Sequence, residues 1–231
     1  MKTRRLLLLV LGLLLSAGLA RTGLWQWQRG AEKETMLAQV RAVLSERRAA
    51  PLASAVDADG YDWAAGRGRF LPGPVLLLDN QRRGQAVGVQ VFAPFQPQAG
   101  PALLVELGWL PVPPDRRVPQ PAVPSGEHAV SGLLMPPPAA GLALGPDHVV
   151  QGRQWLLTRI DLPALGKALD LALAPRVLRL DPALPIGFAR DLDILPNTLP
   201  PERHRGYALQ WFGLSATLLA LTVFLFLRRR P

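Results

Sequence analysis

Not one cysteine occurs among the 231 residues, which excludes disulfide frameworks, thiolate metal sites, CxxC redox chemistry and a cysteine nucleophile. Acidic residues are also few, 17 Asp plus Glu against 26 Lys plus Arg. The three histidines, His128, His148 and His204, are too dispersed to form a local metal box. No P-loop, GxGxxG, HExxH or GxSxG pattern is present. Asp181, Asp191 and Asp193 fall in a proline-broken stretch that reads as a solvated loop rather than as a general acid and base. An enzyme is therefore not expected.

The net charge of +9 and the pI near 11.2 raise the question of a nucleic-acid partner. The distribution of charge answers it. Residues 29–205 contain all the acidic residues and 19 of the basic ones, so the middle of the chain is only slightly positive. The excess sits at the ends: Lys2, Arg4 and Arg5 precede one apolar run, and Arg228, Arg229 and Arg230 follow another. Charge at the tips of hydrophobic segments is a topology signal, and no nucleic acid is expected as a partner.

Two long apolar runs are present. Residues 6–20 are uncharged and would span only about 22 Å as a helix, against a hydrocarbon core of roughly 30 Å. Extended through Arg21 to Trp25 and Trp27 the segment becomes long enough to cross, with arginine and tryptophan at the interface. A cleaved signal peptide fits the same basic start, leucine core and small residues. The second run, residues 207–227, is uncharged and spans about 31 Å. It reads as a transmembrane helix, because a core helix of this length carries a polar stripe and here Gln210 is the one strongly polar side chain. With only five residues ahead of the first run, an amphipathic mitochondrial presequence is not expected. Basic clusters outside both runs place both ends in the cytoplasm. The expected architecture is a multi-pass protein of the bacterial inner membrane: helices over residues 6–27 and 207–227, N-in and C-in, bracketing a periplasmic domain of residues 29–205.

That domain opens with Met36, Leu37, Val40, Val43 and Leu44 at helical spacing among charges, an amphipathic helix ending before Pro51. Short runs bounded by Pro, Gly, Asp and Asn follow, at residues 67–71, 75–79, 87–92, 103–110, 128–134, 154–160 and 176–180. They predict a mainly antiparallel β domain, a small barrel or sandwich of the α+β class. Asp161 is the expected N-cap of a short helix, and the proline-rich tracts 111–124 and 136–138 are expected as exposed connections.

At the entry to the second run, His204, Tyr207 and Trp211 fall at i, i+3 and i+7, on one helical face at the membrane boundary, with Arg203 and Arg205 beside the imidazole. Such a group could ligate haem iron, with rings for the porphyrin and arginines for its propionates. An ordinary interfacial belt, with the histidine merely solvated, accounts for the same residues.

The whole arrangement resembles the surfeit locus protein 1 family of cytochrome c oxidase assembly factors. The likeness rests on Gly23-Leu24-Trp25-Gln26-Trp27-Gln28-Arg29; on Leu78-Asp79-Asn80-Gln81-Arg82 leading to Gly88-Val89-Gln90-Val91-Phe92 and to Leu107-Gly108-Trp109-Leu110-Pro111; on Asp161-Leu162-Pro163; and on His204, Tyr207-Ala208 and Trp211-Phe212. Leu107 stands where the family has Arg, Glu202-Arg203 where it has Asn-Asn, and Gln210 where it has Thr. The resemblance implies a membrane chaperone that assists delivery of haem a to the oxidase catalytic subunit, with the first segment kept as an anchor. It implies His204 as the ligand to haem iron, Tyr207 and Trp211 shaping the site, and Trp25 and Arg29 completing it. Expected partners are the oxidase catalytic subunit, haem a synthase and the lipid bilayer. The alternative is a cofactor-free scaffold holding an oxidase assembly intermediate; a secreted hydrolase released by signal cleavage is a more distant one.

Overall fold

The computed structural model describes residues 2–57, 59–113, 115, 117–138, 148–195 and 198–228. Arg229 and Arg230 of the C-terminal basic cluster lie outside the described residues. The chain divides into two units, one made of Met1–Ala38 with Thr198–Pro231 and the other of Gln39–Asn197.

The central unit is a nine-stranded sheet in the order β1-β2-β6-β9-β5-β4-β3-β8-β7. The strands are β1 (Ala49–Pro51), β2 (Asp62–Phe70), β3 (Val75–Arg83), β4 (Ala86–Pro97), β5 (Ala102–Pro111), β6 (Glu127–Met135), β7 (His148–Gln151), β8 (Gln154–Leu157) and β9 (Leu173–Leu180). Most neighbours are antiparallel, while β1–β2, β3–β8 and β5–β9 are parallel. A further pairing joins Gly68–Phe70 of β2 to Phe95–Pro97 of β4. The ladder from β2 through β6, β9, β5 and β4 thereby returns to β2 as a hydrogen-bonded ring.

Alternation along the strands builds two apolar clusters, one on each face. Leu103, Val105 and Leu107 of β5 join Val89, Val91 and Phe95 of β4 in the first. Leu104 and Phe92 face the other way and meet Leu76, Leu133 and Val177 in the second. This second face is covered by Val40, Val43 and Leu44 and by Leu162 and Leu165 of α2 (Leu162–Leu169). Asp161 caps α2 as its residue type predicts, its Oδ1 accepting from the Ala164 amide at 3.0 Å.

Two of the motifs quoted above are backbone devices. Asn80 takes φ +55° where the β3–β4 register shifts between Leu78 and Gln81, a left-handed conformation that Asn tolerates. Gly108 takes φ +124° where β5 shifts against β4, and a Cβ there would lie 2.7 Å from the Phe188 carbonyl oxygen. That close approach lets the segment after β9 tie onto β5: Phe188 N donates to Leu107 O and Trp109 N to Ala189 O, both at 2.8 Å. The stretch holding Asp181, Asp191 and Asp193 is thus anchored rather than freely solvated, and Arg190 reinforces it by donating to the carbonyls of Asp181, Leu184 and Phe188.

The other unit consists of helix. α1 (Lys2–Glu46) runs without interruption through both the apolar run and the amphipathic segment expected as a separate element. Its last turns, from Gln39, belong to the central unit. α3 (Pro201–Leu227) starts just ahead of His204. Both helices are long and apolar enough to cross a membrane.

Candidate functional site

Within the helical unit α1 and α3 lie antiparallel, and small residues set how close they come. Gly12 faces Thr222 and Gly23 faces Phe212, so closely that a Cβ on either glycine would fall within 2.7 Å of a side-chain atom. Ser16 and Ser215 exchange hydrogen bonds, each hydroxyl donating to the other's carbonyl at 3.0 and 2.8 Å. In a membrane such packing and bonding replace the hydrophobic drive that water would supply.

The same face of α1 continues through Gln26, Gly30 and Lys33, at helical spacing from Gly23. Opposite them α3 presents Pro201, His204 and Ala208, all buried. Gly30 admits the second helix here, since a Cβ would meet His204 Cβ and the Pro201 carbonyl at 3.4 Å. Lys33 Nζ donates to the Leu199 carbonyl at 2.5 Å. Arg205 pairs with Glu34 and stands over the Trp27 ring at 5.9 Å.

His204 is 7% exposed. Its Nδ1 lies 2.7 Å from Gln26 Oε1. An amide oxygen only accepts, so Nδ1 carries the ring proton and Nε2 presents its lone pair. Nε2 is buried with no hydrogen-bond partner. A neutral imidazole held by one nitrogen with the other free is the arrangement of a metal-ligating histidine. The buried, unpartnered nitrogen therefore fits an iron ligand.

The remaining expected residues are distributed around this point. Trp211 is half-buried, and Tyr207 is 39% exposed on α3. Trp25 is 56% exposed, about 100° around the helix from Gln26. Arg29 is exposed and bonds Glu32 at 2.9 Å on its own helix. The structure brings Gln26 to His204, a residue that motif reading passed over in favour of its aromatic neighbours. Its signal is the recurrence of small and polar residues, Gly12, Ser16, Gly23, Gln26, Gly30 and Lys33, on one helical stripe.

A second polar cluster lies in the central unit. Glu106 on β5 is fully buried between Arg179, whose Nε is 2.7 Å from its Oε1, and Gln90, which donates to the same oxygen at 2.6 Å. Oε2 has no partner. Burial pushes the Glu106 carboxyl above the usual carboxylate range, against the pull of Arg179. Arg179 also donates to the Asp193 carbonyl, and Arg83 bonds Asp191 at 3.1 Å. The cluster thus fastens the segment after β9 to the sheet. Among the described residues no group of three or more His, Asp or Glu is arranged to hold a metal ion.

Comparison with known proteins covers nearly the whole chain. A SURF1-like protein of Rickettsia conorii is 28% identical over 231 residues, 96% of this chain and 90% of its own length. One from Rickettsia felis is 28% identical over 96% of each chain. A SURF1-like protein of Monosiga brevicollis is 28% identical over 92% of this chain and 85% of its own. The family model described as SURF1 family matches residues 13–216, a span that runs from one apolar helix through the central sheet and into the other, and the chain belongs to the SURF1 family.

Proposed function

We propose that the chain is a non-enzymatic membrane chaperone of cytochrome c oxidase biogenesis that receives haem a at His204 and passes it to the oxidase catalytic subunit. The observation that carries this reading is the His204 ring, fixed through Nδ1 with Nε2 buried and unpartnered. Family membership and two terminal helices suited to a bilayer support it. In this reading residues 207–227 and the apolar part of α1 span the bacterial inner membrane. The basic termini stay in the cytoplasm and the sheet lies on the periplasmic side.

Haem would contribute an iron centre able to accept an imidazole lone pair. The protein's part is to hold that lone pair ready. Nε2 of His204 is the donor, Gly30 and Ala208 leave room for the two helices to meet beside it, and Trp25, Tyr207 and Trp211 offer ring surface nearby. Arg29 and Arg205 already hold the carboxylates of Glu32 and Glu34, the same chemistry that two propionates would engage. A site between two hydrogen-bonded helices at the edge of the lipid suits transient custody of an apolar cofactor bound for a membrane subunit.

The test is to purify the full chain from cells that make haem a and record its visible spectrum beside that of His204→Ala. A Soret band in the wild type that is lost or displaced in the variant is expected. A wild type without any Soret band despite available haem a would overturn haem carriage and leave the cofactor-free scaffold. An oxidase-subunit crosslink formed equally by His204→Ala would point the same way.

A further inference from the structure

We infer that Gln26 is the positioning residue of His204: its side-chain oxygen selects the Nδ1–H form of the ring and aims Nε2 outward from that bond as the ligand nitrogen. The inference rests on the haem reading for what Nε2 binds, but the choice of tautomer stands on geometry within the apo chain.

Gln26 and His204 come from different helices, 178 positions apart in sequence, and meet at 2.7 Å. Every other polar contact described along this face is matched. Ser16 and Ser215 satisfy each other, Lys33 reaches the Leu199 carbonyl, and Arg205 takes Glu34. In the helical unit His204 Nε2 is the one buried side-chain nitrogen or oxygen without a partner among the described residues. A buried acceptor left unmatched is destabilising. A face that matches its other polar groups and leaves this atom open has kept it for a donor or a metal. Without Gln26 a neutral ring could carry its proton on either nitrogen, and half the choice would block the ligand position.

The chemical type of the partner matters too. A carboxylate behind the ring would draw the Nδ1 proton toward itself and make the imidazole a stronger base and a tighter ligand. A carboxamide is a neutral acceptor, so it orients the ring without adding negative charge. The ligand is then well aimed but of ordinary strength, which suits a protein that must also let its cargo go.

The experiment uses the full chain in detergent micelles. In 15N-histidine-labelled apo protein, with His204 assigned by difference from His204→Ala, the ring should show the Nδ1–H pattern. In Gln26→Leu that pattern should move toward the Nε2–H form. Hemin is then titrated into wild type, Gln26→Leu and Gln26→Glu. Gln26→Leu should bind about 10–100-fold more weakly. Gln26→Glu should recover binding and show a lower reduction potential than wild type. A residue that merely fills the seam would leave Leu and Glu equally impaired, which would overturn the inference. So would a wild-type ring in the Nε2–H form, whatever hemin does. A wild type that holds the Nδ1–H form but takes up no hemin would defeat the haem reading while supporting Gln26 as the group that sets His204.

Discussion

The leucines of the two units face opposite ways. In the central sheet Leu76, Leu77, Leu103 and Leu104 are completely buried. Along α1 and α3, Leu6, Leu7, Leu14, Leu214 and Leu225 are exposed, while Ser16, Lys33, His204 and Ser215 are buried. Each unit is sorted for a different solvent. The sheet is held by apolar area removed from water. The helix pair has its apolar area outside, so close approach at glycine and hydrogen bonds across the seam hold it together. A polar group inside the sheet is therefore structural by default, as Arg176 is, donating to Asp62 at 2.6 Å and to the Ser54 carbonyl. A polar group between the helices has no such apolar core around it and is more informative.

The largest expected break of this contrast is Leu104→Ala. It should lower the stability of the central unit by about 2–5 kcal/mol, measured by denaturant titration of the full chain in micelles. Leu14→Ala, equally drastic as chemistry but on the outward face, should change stability by less than about 0.5 kcal/mol. Comparable losses at the two positions would mean that the helices are not sorted for lipid. A smaller effect is expected from Ser215→Ala, which removes one of the two cross-helix donors and should weaken helix association by about 0.6–1.7 kcal/mol, read by crosslinking of α1 to α3 in a bilayer.

The subtlest effect is expected at Glu106. Its folded carboxyl holds a proton to higher pH than the unfolded chain does, because burial disfavours the charge. Between the ordinary carboxylate value and the raised one, the native state binds more protons than the unfolded state, so stability falls as pH rises through that interval. Below it the contribution is fully present. Glu106→Gln should flatten this slope, and an unchanged pH profile would show that Arg179 keeps the carboxylate ionised throughout.

The sequence made some of this architecture plain and hid the rest for physical reasons. Seven of the strand segments and the Asp161 cap were readable because alternation and capping are local. β1 and β7 were not, being three and four residues long, too short for a period to declare itself. The continuity of α1 was obscured because its pattern changes midway, from outward-facing leucine to an apolar stripe packed against the sheet, and a change of pattern resembles a change of element. His204 stood out as a lone imidazole at a boundary. Gln26 did not, since its meaning depends on a partner 178 positions away that no spacing rule connects. Glu106 was concealed by its setting in β5, where period-two reading cannot tell a polar residue aimed at solvent from one aimed at a buried arginine.

The short outer strands have a consequence of their own. Three-residue β1 and four-residue β7 terminate the two open margins of the sheet in the described part of the chain. A margin that brief offers few unpaired amides to a neighbouring molecule, and Pro51 removes one more donor from β1. Neighbouring copies therefore have little backbone with which to template one another into fibres.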